Sequence, residues 1–247
     1  SLPVFDLVVC NLYAFEDTIA EPGCTLERAI ENIDIGGPTM IRAAAKNHQG
    51  VAILTSPAQY AGFLEEFRNQ QGCISVGTRQ RLAVEAFTLI AEYDLAIARY
   101  FAQQHSKETF PTTLLASWKR KANLRYGENP HQQAAFYVEN RPARTCISTA
   151  ESLGGKELSF NNLFDLDSAL TLVRSFSEPA AVIIKHNNPC GAAVADTLSE
   201  AYQWANEGDP VSAFGGIVGL NREVDAATEE KLTEPGRFLE AIIAPGF

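Results

Sequence analysis

The sequence predicts an α/β protein in two successive parts. Two observations carry this reading. Short apolar runs rich in Val, Ile and Ala alternate with longer segments of helical periodicity, the order that builds a sheet flanked by helices. That order breaks once, between His105 and Trp118, where periodicity is lost across Phe110-Pro111-Thr112-Thr113. The boundary therefore falls after Thr112, giving parts 1–112 and 113–247.

In the first part, residues 6–10 read as a buried strand that delivers Asn11 and Tyr13 at its carboxyl end. Thr25 is placed to cap a short helix running through Asn32. Gly36-Gly37-Pro38 opens a second helix, with Pro38 at its first position and Ala43-Ala44-Ala45 inside. Residues 51–54 form a strand, and Ser56-Pro57 begins the helix that carries Phe63 and Phe67. From Thr78 to Gln104, Leu82, Ala83, Ala86, Phe87, Ile90, Ala91, Ile97 and Phe101 recur at helical spacing and are expected to form one buried face. At about 1.5 Å per residue this helix exceeds roughly 35 Å, and its aromatics read as core rather than as a ligand box. The alternation implies a parallel sheet.

In the second part the expected order is strand 134–138, helix 165–176, strand 180–184, helix 198–207, strand 217–220 and helix 226–232, with a mixed sheet. No internal repeat and no low-complexity segment is present.

Composition narrows the function. The 247 residues suffice for one large domain or two modest ones, and 46% hydrophobic with 20% charged residues is ordinary for a folded protein. A formal charge of −10 argues against a nucleic-acid binder. An anionic substrate then needs local cations, for which Lys119-Arg120-Lys121, Arg125 and Lys185 are candidates; Lys119 to Lys121 read equally as a solvated face. Five cysteines without a C-x-x-C pair point to reduced thiols and an intracellular, cytoplasmic protein. No run of 18 apolar residues and no charged-then-apolar leader is present, so no membrane span or signal peptide is expected. Ser1 leads almost at once into a strand, and the chain stops after Ala244-Pro245-Gly246-Phe247, so both ends read as cuts through folded structure.

The run Ile184-Lys185-His186-Asn187-Asn188-Pro189-Cys190-Gly191 is the most informative stretch. An apolar strand there runs out into a Pro/Gly turn, where α/β proteins tend to place chemistry. Lys185 offers a fixed positive charge and His186 a group able to take or give a proton, which together suit a general base backed by an oxyanion stabiliser. A surface Lys-His pair on a turn is the plain alternative. Pro189-Cys190 also resembles half of the zinc-deaminase P-C-x-x-C motif, but Ala193 stands at the second cysteine position and no histidine has ligand spacing, so no metal is expected. In the first part, the amides after Gly36-Gly37 lie at a helix amino end that favours an anion or polar ring, with Asp34 before the turn and Lys46 two to three turns along. A tight helix entry with a solvated Lys46 is the alternative.

Four further segments have the same dense look: Cys10-Asn11-Leu12-Tyr13, Ile33-Asp34-Ile35-Gly36-Gly37, Leu124-Arg125-Tyr126-Gly127-Glu128-Asn129-Pro130-His131-Gln132, and Ser212-Ala213-Phe214-Gly215-Gly216. With the Lys185-His186 run they stand in an order that resembles the bacterial-type bifunctional purine biosynthesis enzymes. That family pairs phosphoribosylaminoimidazolecarboxamide (AICAR) formyltransferase with inosine monophosphate (IMP) cyclohydrolase. The resemblance runs from Phe5 to Phe247 and rests on five motifs in order.

The resemblance implies a methylglyoxal-synthase-like parallel-sheet domain, of which 1–112 is the C-terminal part, then a cytidine-deaminase-like α/β domain, of which 113–247 is the N-terminal part. It implies that Cys10, Asn11, Asp34 and Ile35 hold IMP, and that Tyr13, Asp34 and Lys46 serve ring closure, with Lys46 as the proton-transfer group. Arg125, Tyr126, His186, Phe214 and Gly215 match contacts to AICAR, Glu240 a folate-contacting acid, and Lys185 with His186 the catalytic pair. His131 reads as structural. The implied co-substrate is 10-formyltetrahydrofolate, with no tightly bound cofactor and no metal. Implied partners are the nucleotides AICAR, its formylated product FAICAR and IMP, with folate and a second copy of the full-length chain as a homodimer. Neither nucleic acid nor membrane is implied. Ala14 stands where many members carry proline, and Asn187 where alanine is common. The family's phosphate-binding loop and a second lysine motif fall upstream of Ser1, and part of the folate pocket beyond Phe247, so both sites are expected to be incomplete. Two other readings stay open: a catalytically inactive nucleotide-binding or dimerisation scaffold, and a zinc nucleoside deaminase relative.

Overall fold

The computed structural model describes residues 4–105, 110–142 and 144–247. The chain divides into two compact units at Ala116/Ser117. Positions 106–109 of the aperiodic stretch His105–Trp118 lie outside the described residues.

In the first unit, β1 (Leu7–Val9) pairs in parallel with β2 (Ala52–Leu54), Val8 opposite Ile53. Between them lie α1 (Phe15–Ala20), α2 (Leu26–Glu31) and α3 (Gly36–Lys46); α4 (Tyr60–Asn69) and α5 (Val76–His105) follow. The Thr25 hydroxyl accepts the Arg28 amide and so starts α2, and Ser56 with Gln59 forms a capping box over the short 3-10 turn that leads into α4. β2 is wholly buried, and Ile53 and Leu54 pack with Ile41 and Ala45 of α3 and with Leu82, Ala86 and Ile90 of α5. β1 departs from the expected buried strand: Leu7 and Val9 are exposed, because only one of its edges is paired and only one face is covered. The α5 face is also narrower than its periodicity suggests. Phe87 points outward beneath the Arg42 guanidinium, 6.0 Å from its ring, while Tyr93 is buried instead.

In the second unit, β3 (Lys119–Asn123) and β4 (Ala135–Val138) form an antiparallel pair with a bulge at Lys121. α6 (Phe160–Val173) precedes a four-stranded mixed sheet made of β5 (Ala180–Lys185), β6 (Asn188–Val194), β7 (Gly216–Leu220) and β8 (Leu239–Ile243), in the order β6-β5-β7-β8. α7 (Leu198–Gly208), α8 (Pro210–Ala213) and α9 (Ala226–Leu232) fill the connections. β5 is antiparallel to both neighbours, whereas β7 and β8 run parallel.

Side chains alternate across a strand, so a strand buried on both faces must be apolar throughout. β5 is such a strand. Ala180, Val182 and Ile184 pack with Leu166, Ala169 and Val173 of α6, whereas Ala181 and Ile183 pack with Ala201, Tyr202 and Ala205 of α7. The sheet is thus sandwiched between α6 and α7. α6 begins at Phe160, five residues before the expected residue 165, because Ser159 and Asn162 form a capping box at its start.

Candidate active site

The expected Pro/Gly turn after β5 is a hairpin. Lys185 pairs with Asn188 across a two-residue loop, and His186 and Asn187 both have left-handed backbone, with φ of 51° and 63°. Positive φ at both central residues is the type I′ signature. A side chain in that conformation costs on the order of 1–2 kcal/mol per residue, and histidine and asparagine tolerate it better than most. Pro189 is accommodated because β6 is an edge strand.

Three strand ends meet here. β5 ends at Lys185, and its antiparallel neighbour β7 begins at Gly216, opposite that end; β8, parallel to β7, begins beside it. The Lys185 ammonium donates to the carbonyls of Phe214 at 2.9 Å and Gly215 at 3.0 Å, leaving one of its three N–H groups for a ligand. Gly215 has φ of 68°, its amide donates to the Phe238 carbonyl at 2.7 Å, and a Cβ on it would stand 3.2 Å from the Lys185 nitrogen. The Phe214 and Phe238 rings lie 5.6 Å apart and are both about half exposed. Glu240 falls between Leu239 and Ala241, which pair with Gly216 and Ile217, and so occupies a β-bulge that re-aims its exposed side chain. The His186 imidazole is exposed and makes no hydrogen bond among the described residues.

α6 frames this sheet end. Asp165 accepts the Asn187 amide at 2.7 Å, and the Ser168 hydroxyl bonds the Asn187 side chain. One to two turns upstream, Asn162 sits 3.5 Å from Arg125, whose guanidinium stands 5.5 Å from the Tyr126 ring centroid. Asn162 and Ser168 are six residues apart, about 9 Å along the axis, so Arg125 and the His186 turn flank one stretch of helix. The segment holding Arg125 is knotted by Gly127, Asn129 and Gln132: Gly127 N–H donates to the Gln132 carbonyl and Asn129 N–H to its side chain. His131 is exposed within the turn that the Gln132 amide closes on the Asn129 carbonyl. Of the candidate cations, Lys121 is occupied by the carbonyls of Ser148 and Ala150.

A second cluster forms in the first unit at the carboxyl end of β1. Asp34 accepts the Gly37 amide at 2.7 Å and so caps α3 itself, and its own amide donates to the Tyr93 hydroxyl at 2.8 Å. A Cβ on Gly37 would lie 2.5 Å from the Asp34 carboxylate and 2.7 Å from Leu12, so only glycine fits. Cys10 contacts the Gly37 carbonyl through sulfur at 4.0 Å, and burial together with the Asp34 charge pushes its thiol up, keeping it protonated. Asn11 donates to the Tyr60 hydroxyl at 3.1 Å. Ile35 and Tyr13 are exposed beside this cluster in sequence. Lys46 is not brought to it. It ends α3, ten residues from the capped end and about 15 Å along the axis, lining a separate groove of about 650 Å³ with Val84 and Phe87.

Sequence reasoning missed Asp165, Ser168, Phe238, Tyr60 and Tyr93. Asp165 and Ser168 fall inside the expected helix 165–176, but nothing in the sequence turns that helix toward the hairpin. Among the described residues no His, Cys, Asp and Glu side chains converge in a group able to hold a metal ion, and the Cys190 thiol is turned to the Ile183 carbonyl.

The mixed α/β architecture brings a Lys-His pair to the place where three strand ends meet. The family model of the AICARFT/IMPCHase bienzyme matches residues 44–247. The chain belongs to that family. Two relatives carry the description bifunctional purine biosynthesis protein PurH. The one from Rhodopirellula baltica is 52% identical over 243 residues, covering 98% of this chain and 46% of the relative. The one from Sorangium cellulosum is 51% identical over 252 residues, covering 98% of this chain and 48% of the relative. The chain spans about half the length of these relatives. A solved structure described as ForH aligns over 42% of this chain and 54% of its own, at 33% identity and a TM-score of 0.38.

Proposed function

We propose that this chain carries parts of two successive sites of purine biosynthesis, formyl transfer from 10-formyltetrahydrofolate to the 5-amino group of AICAR and ring closure of FAICAR to IMP. The observation that carries the reading is the Lys185 ammonium, fixed by two carbonyls and followed in the chain by an exposed His186 whose ring makes no hydrogen bond among the described residues. In this reading the 5-amino nitrogen attacks the formyl carbon and His186 takes its proton. The remaining Lys185 N–H stabilises the oxyanion that forms. Collapse breaks the bond from the formyl carbon to N10 of the folate, and that nitrogen leaves with a proton. Arg125 and Tyr126 hold the nucleotide, Phe214 and Gly215 wall its pocket, and Glu240 meets the folate.

Ring closure follows by attack of the carboxamide nitrogen on the new formyl carbon and loss of water, which needs positioning and proton transfer alone. Cys10, Asn11, Asp34 and Ile35 would hold the nucleotide, with Tyr13, Asp34 and Lys46 in ring closure. The distance of Lys46 from Asp34 along α3 means that their joint action needs a contribution beyond this single helix. In the same reading, residues 1–112 are the C-terminal part of a methylglyoxal-synthase-like cyclohydrolase domain and 113–247 the N-terminal part of a cytidine-deaminase-like formyltransferase domain. The full-length protein is then a cytoplasmic homodimer without a tightly bound cofactor.

The test separates the two reactions in the full-length protein. His186→Ala is expected to lower formyl transfer about 10²- to 10⁴-fold while FAICAR cyclisation persists. Lys46→Ala is expected to do the reverse. Equal loss of both activities in either variant contradicts separate sites.

A further inference from the structure

We infer that Asp165 is a positioning residue for His186, and that Ser168 and Asn187 form a second tie in the same brace. The functional half of this inference rests on His186 as proton acceptor; the structural half stands on the hairpin alone. The central peptide of the turn, between His186 and Asn187, is held at both polar ends. Its N–H donates to the Asp165 carboxylate at 2.7 Å, and its carbonyl accepts from the Asn188 side-chain amide at 2.9 Å. This is the peptide whose rotation would convert a turn with two left-handed residues into one with a single left-handed residue. Positive φ on two side-chain-bearing residues persists only where the surroundings over-determine it. Here a helix packed against the sheet supplies that constraint.

The Ser168–Asn187 bond is carried by Asn187 in the position where alanine would leave Ser168 without this partner. The Ser168 oxygen also lies 3.1 Å from the Phe164 carbonyl, so its single proton is shared between that carbonyl and the Asn187 side chain. Among the described residues no hydrogen bond holds the His186 ring, so the turn backbone is what these ties constrain. The two ties to Asn187 are what α6 contributes to that constraint.

The test pairs spectroscopy on this 247-residue chain with kinetics on the full-length protein. Asp165→Ala removes the acceptor, Asp165→Asn retains one, and Ser168→Ala removes the second tie with less risk to folding. In the chain labelled at Asn and His, Asp165→Ala is expected to shift the Asn187 amide proton upfield and to move the His186 ring signals, and Asp165→Asn to restore both. In the full-length protein, Asp165→Ala is expected to lower kcat for formyl transfer about 10- to 100-fold with KM for AICAR changed less than about threefold. Asp165→Asn should recover most of the loss, and Ser168→Ala should show a smaller effect of the same kind. A merely structural role would lower the yield of folded protein without moving kcat per folded molecule. Unchanged Asn187 and His186 signals in Asp165→Ala, or unchanged kcat in both alanine variants, overturn the inference. If His186→Ala retains formyl transfer, the functional reading fails instead, and the Asn187 and His186 signals still decide whether Asp165 braces the turn.

Discussion

Gly215 shows how single atoms set the geometry around Lys185. Its left-handed backbone turns its carbonyl, with that of Phe214, onto the ammonium, and its missing side chain leaves the room that the ammonium occupies. Gly215→Ala is expected to cost about 1–2 kcal/mol of stability from the left-handed backbone. It also presses a methyl against the Lys185 nitrogen, so on the proposed function formyl transfer by the full-length protein should fall more than stability alone accounts for. Urea unfolding with kcat per folded molecule checks both; an unchanged midpoint would contradict the strain argument. At this scale the sequence was partly legible. Lys185 and His186 stand out because charged, titratable residues directly follow five apolar ones. Asp165 does not stand out, because an acid within an amphipathic helix reads as solvated until the hairpin it meets is known. Asp34 is legible as an acid before a glycine turn, yet its use as the cap of α3 depends on where that helix starts.

Elements were legible where burial imposes a pattern and illegible where it does not. β5 and β7 are buried on both faces and so are continuously apolar. β3 is exposed at every residue and spells Lys-Arg-Lys-Ala-Asn, which carries no strand periodicity. β6 opens on Asn-Pro, and its turn is His-Asn rather than the Asn-Gly that marks a type I′ hairpin. The start of α6 is set by the Ser159/Asn162 box rather than by apolar spacing. Ser159 is almost wholly buried, and its hydroxyl accepts the Asn162 amide and donates to the Asn162 side chain. Ser159→Ala is expected to lower stability by about 1–2 kcal/mol, measured as a shift of the urea midpoint at constant slope. Because Asn162 also faces Arg125, the same change should weaken AICAR binding if Arg125 contacts that nucleotide.

Across the whole molecule, the acidic balance shapes stability against pH. In the second unit the Asp209 carboxyl is held below its ordinary range by the hydroxyl and amide of Ser212, and the Asp225 carboxyl by the amide of Thr228. Lys231 and Arg237 do the same for Glu234, and its own amide with Ser177 for Glu178. Each carboxylate titrates lower in the folded chain than in the unfolded one. The stabilisation is therefore complete above the unfolded carboxylate range of about 4 and is lost as pH falls through the depressed folded values. Among the described residues of the first unit, only Glu66, paired with Thr78 and Ser75, shows a comparable lowering. Both tryptophans, Trp118 and Trp204, belong to the second unit, so their fluorescence reports on it. The urea midpoint by that signal is expected to fall more between pH 5 and about 3 than between pH 8 and about 6. The Asp209→Asn/Asp225→Asn double variant should flatten the acid limb, and an unaltered limb would count against these two caps.

The meeting of β5, β7 and β8 at one sheet edge has a consequence for how the chain matures. Lys185, Phe214, Gly215 and Glu240 come from separate stretches of sequence, and no local segment holds two of the three strand ends. During synthesis the lysine and histidine emerge first, with their hairpin, while the carbonyls that fix the ammonium and the bulge that aims the acid are still unmade. A half-assembled sheet thus presents a loose cation and an exposed imidazole until β7 and β8 have docked beside β5. On the proposed function, recovery of AICAR binding by the full-length protein during refolding would then serve as a clock for docking of these strands.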